Sequence, residues 1–169
     1  MMRKILLIGL AGFAAAPAQA GELFGGLYKH AVDTPLSLGG GLEHGVDLQL
    51  GLRGRPVLWK LQPYAFGALN SNGDTDYAAA GLSARFGRRI FVRPGLGLAI
   101  HNGSAGRYYR SDRIAFGSRI LFEPELGIGT DLGDRVSLEA SWVHLSHAQL
   151  FSRENPGIDN IGARLTFRL

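Results

Sequence analysis

The chain has 169 residues, enough for one domain, and contains no cysteine, which excludes disulfide staples and thiol chemistry. Its formal net charge is +4 and falls to +2 once Arg3 and Lys4 are set aside; with no basic block elsewhere, nothing points to a nucleic-acid partner. Arg3 and Lys4 precede an apolar stretch from Ile5 to about Ala16 and then Ala18-Gln19-Ala20, the pattern of a secretory signal peptide cleaved after Ala20. The stretch is shorter than the roughly 20 residues that cross a bilayer as a helix. The mature chain is therefore expected as residues 21–169, a single domain with no transmembrane helix.

Beyond the leader the sequence alternates. Eight strands are predicted in chain order, at roughly 22–32, 43–53, 60–70, 77–87, 90–101, 113–132, 135–146 and 159–169. In the second, Val46, Leu48, Leu50 and Leu52 oppose Asp47, Gln49, Gly51 and Arg53. In the fifth, Ile90, Val92, Leu96, Leu98 and Ile100 oppose Phe91, Arg93, Gly95, Gly97 and Ala99. The last sets Ile161, Ala163, Leu165, Phe167 and Leu169 against Gly162, Arg164, Thr166 and Arg168. Long connections near 33–42, 70–76, 102–112 and 147–158 alternate with short ones near Arg53–Pro56, Gly87–Arg89 and Leu132–Asp134. An all-β, eight-stranded antiparallel transmembrane barrel explains this pattern, with short turns in the periplasm and long loops outside. Arg93, Arg119, Glu123, Glu125, Glu139 and Arg164 lie on the non-apolar face, and eight strands enclose a space that side chains fill, so the lumen is expected to be plugged by ion pairs rather than open as a pore. A soluble sandwich or lipocalin-like barrel would also alternate, but not with charges on its inward face.

The seventh strand ends unusually. Its even positions run Val136, Leu138, Ala140, Trp142, His144 and Ser146, so the lipid-facing set finishes in a histidine and a serine. Side chains two apart on a strand share a face and are roughly 6.6 Å apart along it, within reach of an imidazole bending onto a hydroxyl. Asp159 opens the eighth strand with the outward parity of Ile161 and Leu165. All three residues are thus expected on the outer wall near the extracellular boundary, where a polar group costs far less than at mid-membrane. Histidine, serine and acid on one surface are the parts of an activated nucleophile, although a lone rim histidine is also an interface anchor and Asp159 alone caps a turn. The five histidines have no compact metal-ligand spacing, and neither metal nor cofactor is required.

The segments His144-Leu145-Ser146-His147-Ala148 and Asn155-Pro156-Gly157-Ile158-Asp159-Asn160 resemble the lipid A 3-O-deacylase family, whose pattern is His-x-Ser-Asn-Ala-Gly followed by a Gly-Ile-acid segment. Further matches run through Gly117-Ser118-Arg119-Ile120-Leu121-Phe122-Glu123-Pro124-Glu125-Leu126-Gly127. The resemblance covers about Gly117 to Leu169 and is only architectural before it. It implies an outer-membrane serine esterase that hydrolyses the 3-hydroxyacyl ester at position 3 of lipid A, with its active site at the outer leaflet. Ser146 would be the nucleophile, His144 the base and Asp159 the acid, with Glu154 in the preceding loop as a second candidate acid. His147 stands where the family has asparagine, and Gln149 where it has glycine. The oxyanion donors are therefore to be sought at His147 and at the backbone near Ala148. Arg107, Arg110, Arg113 and Arg153 are candidate contacts for lipid phosphates, and Tyr108 and Tyr109 read as interfacial aromatics. The rival reading is a noncatalytic structural or adhesion barrel, or a degenerate family member; a lipid A acyltransferase would share the site logic but needs a donor lipid. A homodimer stays open.

Overall fold

The computed structural model describes residues 20–37, 41–107, 111–150 and 155–169. The leader up to residue 19, Tyr108, Tyr109, Arg110, Arg153 and Glu154 lie outside the described residues.

The alternation folds as one antiparallel sheet. Its strands are β1 (Ala20–Lys29), β2 (Val46–Gly54), β3 (Leu61–Asn70), β4 (Tyr77–Ala84), β5 (Phe86–Gly87), β6 (Ile90–His101), β7 (Ile120–Asp131), β8 (Val136–Leu145) and β9 (Ile158–Arg168). Both β4 and β5 pair with β6, so together they make one stave interrupted at Arg85, and the barrel has eight staves. Pairing of β1 with β9, and of β4 with β6, closes the sheet and leaves no free edge. No helix among the described residues is long and apolar enough to cross a membrane; the crossing is left to the strands.

Closure requires close approach at one seam. A Cβ on Gly162 would lie 2.1 Å from the Leu27 carbonyl oxygen and 2.7 Å from Tyr28 Cγ, so only glycine lets the Tyr28 ring lie across β9. The outward face carries Leu27, Leu48, Leu50, Leu69, Leu96, Leu98, Ile128 and Ile161, all exposed, in an apolar belt of the kind that faces lipid.

The lumen is filled. Arg53 Nη1 donates to Glu22 at 2.8 Å and its Nε to Ser83 at 3.1 Å. Arg93 Nε donates to Glu139 at 3.0 Å, and Arg164 Nη2 to Glu125 at 2.8 Å. The Arg53 and Arg164 guanidiniums lie 4.7 and 4.6 Å from the Phe24 ring centre, adding cation–π attraction in a buried interior. The Tyr64 hydroxyl donates to Glu123, and Tyr77 accepts from Gln49 and Asn160 at 2.9 and 3.0 Å. Removing one partner of such a pair would leave the other charge buried and unpaired, so the network is obligatory as a set.

Two expectations change. The sixth predicted strand begins at Ile120, not 113. Residues 113–119 instead fold over the long-loop mouth: Ser104 and Ala115 form a parallel bridge, Gly117 takes a left-handed φ of 75°, and Ile114 and Phe116 are buried. Their alternation resembled a strand because both side chains point into the mouth, where Phe116 packs on His101 with ring centres 4.5 Å apart. Arg119 consequently lies outside the lumen. It is exposed and donates to the carbonyls of His101 and Gly103 at 2.8 and 2.7 Å, tying the loop to the end of β6.

Candidate functional site

At the long-loop end, the register of β8 and β9 sets His144 directly opposite Asp159. His144 Nδ1 is 2.8 Å from Asp159 Oδ1. The Trp142 indole Nε1, a donor only, reaches the same oxygen at 2.7 Å. The Thr34 hydroxyl donates to the other oxygen, Oδ2; its proton is available because Thr34 Oγ1 already accepts from the Leu36 amide at 3.1 Å. An ionised carboxylate only accepts, so the imidazole donates its Nδ1 proton to Asp159, which leaves Nε2 with a lone pair. That tautomer is the one a general base needs.

Ser146 extends β8 by one step on the same outward face. Its backbone exchanges hydrogen bonds with Phe122 at 2.7 and 3.2 Å, continuing the β7–β8 register past Pro124, which has no amide proton to contribute. Gly157, across from Ser146, makes room: a Cβ there would lie 2.7 Å from the Leu145 carbonyl, 3.0 Å from His144 Cε1 and 3.1 Å from Ser146 Cβ. Among the described residues the Ser146 hydroxyl is not hydrogen-bonded to His144. The histidine–acid half of the constellation is assembled, and the serine is held beside it by the backbone.

Outward parity did not mean exposure. Asp159 is fully buried, and His144 and Ser146 are 8% and 7% exposed. Residues 31–37 cross the outer end of β9 as a strap: Val32 N donates to the Asp159 carbonyl at 2.7 Å, Ala31 N to the Asn160 side chain at 2.9 Å, and Ser37 Oγ to the Gly157 carbonyl at 2.7 Å. His30 anchors the strap's start. It sits between Asp47 at 3.0 Å and Glu43 at 3.1 Å. Burial alone would lower its pKa, but these two carboxylates outweigh it and push the imidazole up to about 9. Burial would raise the Glu43 carboxyl, yet the His30 and Thr75 hydrogen bonds hold it below its usual range.

The turn after Ser146 is strained. His147 is fully buried, and its backbone amide donates to Asn155 Oδ1 at 3.0 Å. Ala148 and Gln149 both have left-handed φ, 51° and 60°, inside a His147–Leu150 turn closed at 3.0 Å. Two non-glycine residues in that region carry a cost of order 1–3 kcal/mol each and cluster at functional sites. Sequence reasoning singled out His144, Ser146 and Asp159 but not Thr34 and Ser37, which carry no alternation signal and lie more than a hundred residues from their partners. Of the basic loop residues, Arg107 and Arg113 are exposed, the latter 3.4 Å from Asp112. No group of His, Cys, Asp and Glu fit for a metal occurs among the described residues.

Closed eight-stave architecture, a filled lumen and an apolar belt define an outer-membrane β-barrel. The model of the lipid A 3-O-deacylase (PagL) family matches residues 45–168, and the chain belongs to that family. Among solved structures it is similar to the crystal structure of the outer membrane enzyme PagL, with 17% identity and a TM-score of 0.64 over 88% of this chain and 99% of that one. It is also similar to the crystal structure of Neisserial surface protein A, with 12% identity and a TM-score of 0.54 over 88% of this chain and 96% of that one. No curated protein sequence matches the chain.

Proposed function

We propose that this chain is a serine esterase that removes the ester-linked 3-hydroxyacyl chain at position 3 of lipid A. The observation that carries the reading is the His144–Asp159 pair, set opposite each other in register with Ser146 two residues further on the same face, in a member of the lipid A 3-O-deacylase family. His144 Nε2 takes the Ser146 proton as the hydroxyl oxygen attacks the ester carbonyl. Asp159 holds the imidazole tautomer and stabilises its positive charge. Collapse of the tetrahedral intermediate breaks the ester C–O bond and returns that proton to the departing sugar hydroxyl. Water, deprotonated by His144, then attacks the acyl-enzyme to release the 3-hydroxy fatty acid and restore Ser146.

The negative oxygen needs donors, and loss of one costs about 2.7–4 kcal/mol of transition-state stabilisation. The His147 backbone amide is committed to Asn155, which directs attention to the His147 ring and the Ala148 backbone. The reading includes export by residues 1–20, a mature barrel from Gly21, and long loops at the outer leaflet, where the ester lies at the headgroup boundary. Arg107 and Arg113 are on that side to meet phosphates. Glu154 remains the second candidate acid and lies outside the described residues. Replacement of the family's asparagine by His147 is the observation favouring the second reading, a degenerate member or noncatalytic barrel.

The test is mass spectrometry of lipid A from a deacylase-free outer-membrane host expressing the chain or its Ser146→Ala variant. Loss of one 3-hydroxyacyl mass with the wild type alone supports the reading. Unchanged lipid A with a folded barrel in the membrane overturns it, and a heavier product would indicate acyl transfer.

A further inference from the structure

The acid of the site is held more tightly than an Asp–His pair requires. Both oxygens of Asp159 are engaged: Oδ1 accepts from His144 Nδ1 and Trp142 Nε1, and Oδ2 accepts from Thr34. The three donors come from two elements, β8 at the cross-strand position and two residues before it, and the strap that follows β1. The carboxylate is fully buried, so without such donors its charge would be costly and its orientation free. The Trp142 ring also lies against the imidazole, with ring centres 5.9 Å apart and planes inclined by 26°.

We infer that Thr34 and Trp142 are positioning residues for the acyl-transfer site: together they orient Asp159 and share its charge, so that His144 is held in one tautomer with its basic nitrogen free. This rests on the serine-esterase reading. Thr34 acts on Oδ2 and Trp142 on Oδ1, and neither touches the reacting atoms. The strap's own bonds to the Asp159 carbonyl, the Asn160 side chain and the Gly157 carbonyl fix Thr34 in place, so its hydroxyl is delivered by a rigid element.

Among the described residues, the titratable groups on the elements around Asp159 include His30 at the strap's start, clamped by Asp47 and Glu43. His144 faces it from β8, His147 lies beyond Ser146, Asp33 is the strap's charged residue, and Lys29 is exposed on β1 beside β9. Asp159 keeps its full charge when the Thr34 and Trp142 donors are removed, but the charge is no longer shared. The imidazole then holds its second proton more strongly, so the base is lost at a higher pH.

The experiment uses purified full-length barrel in detergent with lipid A as substrate, comparing wild type, Ser146→Ala, Thr34→Val, Thr34→Ser and Trp142→Phe, with folding checked by far-ultraviolet circular dichroism and cold-SDS mobility. Thr34→Val and Trp142→Phe are expected to lower kcat by about 10- to 100-fold with little change in KM. Each is expected to move the acid limb of the kcat/KM profile up by about half a pH unit or more. Thr34→Ser restores both quantities, because the hydroxyl and not the methyl is needed. A merely structural role would lower activity in proportion to folded protein and leave the limb where it is; that result overturns the inference. Wild-type kcat and profile in folded Thr34→Val and Trp142→Phe, beside an inactive Ser146→Ala, overturn it and leave the esterase reading standing. Wild type as inactive as Ser146→Ala removes the reading and this inference together.

Discussion

Buried carboxylates in two parts of the barrel meet different partners. In the lumen, Glu22, Glu125 and Glu139 face arginines, whose charge is permanent, at 2.8 to 3.0 Å. At the outer rim, Asp159 faces His144, an imidazole that can give up or take a proton, at 2.8 Å. These three lumen carboxylates are thereby held by permanent cations. The rim keeps a base whose second nitrogen is uncommitted. Burial of charge alone therefore does not mark a functional site; what sets the rim apart is an imidazole that pairs with a carboxylate through one nitrogen only, where His30 uses both.

That contrast can be broken from either side. His144→Ala should abolish turnover, by about 10³-fold or more, while the barrel unfolds at nearly the same denaturant concentration. Arg164→Met should do the reverse. It takes the nearer of two arginines from Glu125, leaving only Arg53 at 3.8 Å, and costs about 3 kcal/mol in reversible unfolding, whereas adding Glu125→Met should recover most of the loss, and activity per folded molecule should be retained.

His30 stands between the two regions, since it is a titratable cation clamped by two carboxylates. Its folded-state pKa of about 9 lies above the ordinary 6.5. The stabilisation it gives is thus fully present below pH 6.5 and drains away as pH rises through 9, by up to ~3 kcal/mol. Thermal unfolding of the wild type should fall over that window, and His30→Gln should flatten the dependence. The smallest effect is expected at Gln149, whose left-handed φ suits glycine: Gln149→Gly should raise stability by about 1 kcal/mol in the same unfolding assay and leave turnover intact.

Much of this was legible in the sequence, for a definite reason. A strand's two-residue period sorts every side chain to one face, so the lumen arginines and the outward His144, Ser146 and Asp159 could be assigned by counting. Counting fails where the chain leaves the ladder. Ile114 and Phe116 alternate like strand residues but fold into the mouth, and Arg119 went with them. Parity also says nothing about what covers a face. The strap over Asp159, the Thr34 hydroxyl beneath it and the Asn155 bond to the His147 amide are loop contacts between distant positions, and no local pattern encodes them.

The seam between β1 and β9 joins the start of the barrel to its end, and the strap leaves directly from β1 to lie on β9. Thr34 therefore reaches Asp159 only after the first and last staves have met. Every other strand can be in place and the acid will still lack its third donor. On the esterase reading, a chain whose first and last staves have not met carries the serine and the histidine but leaves the acid one donor short, so the closing of the barrel and the completion of the site are one event.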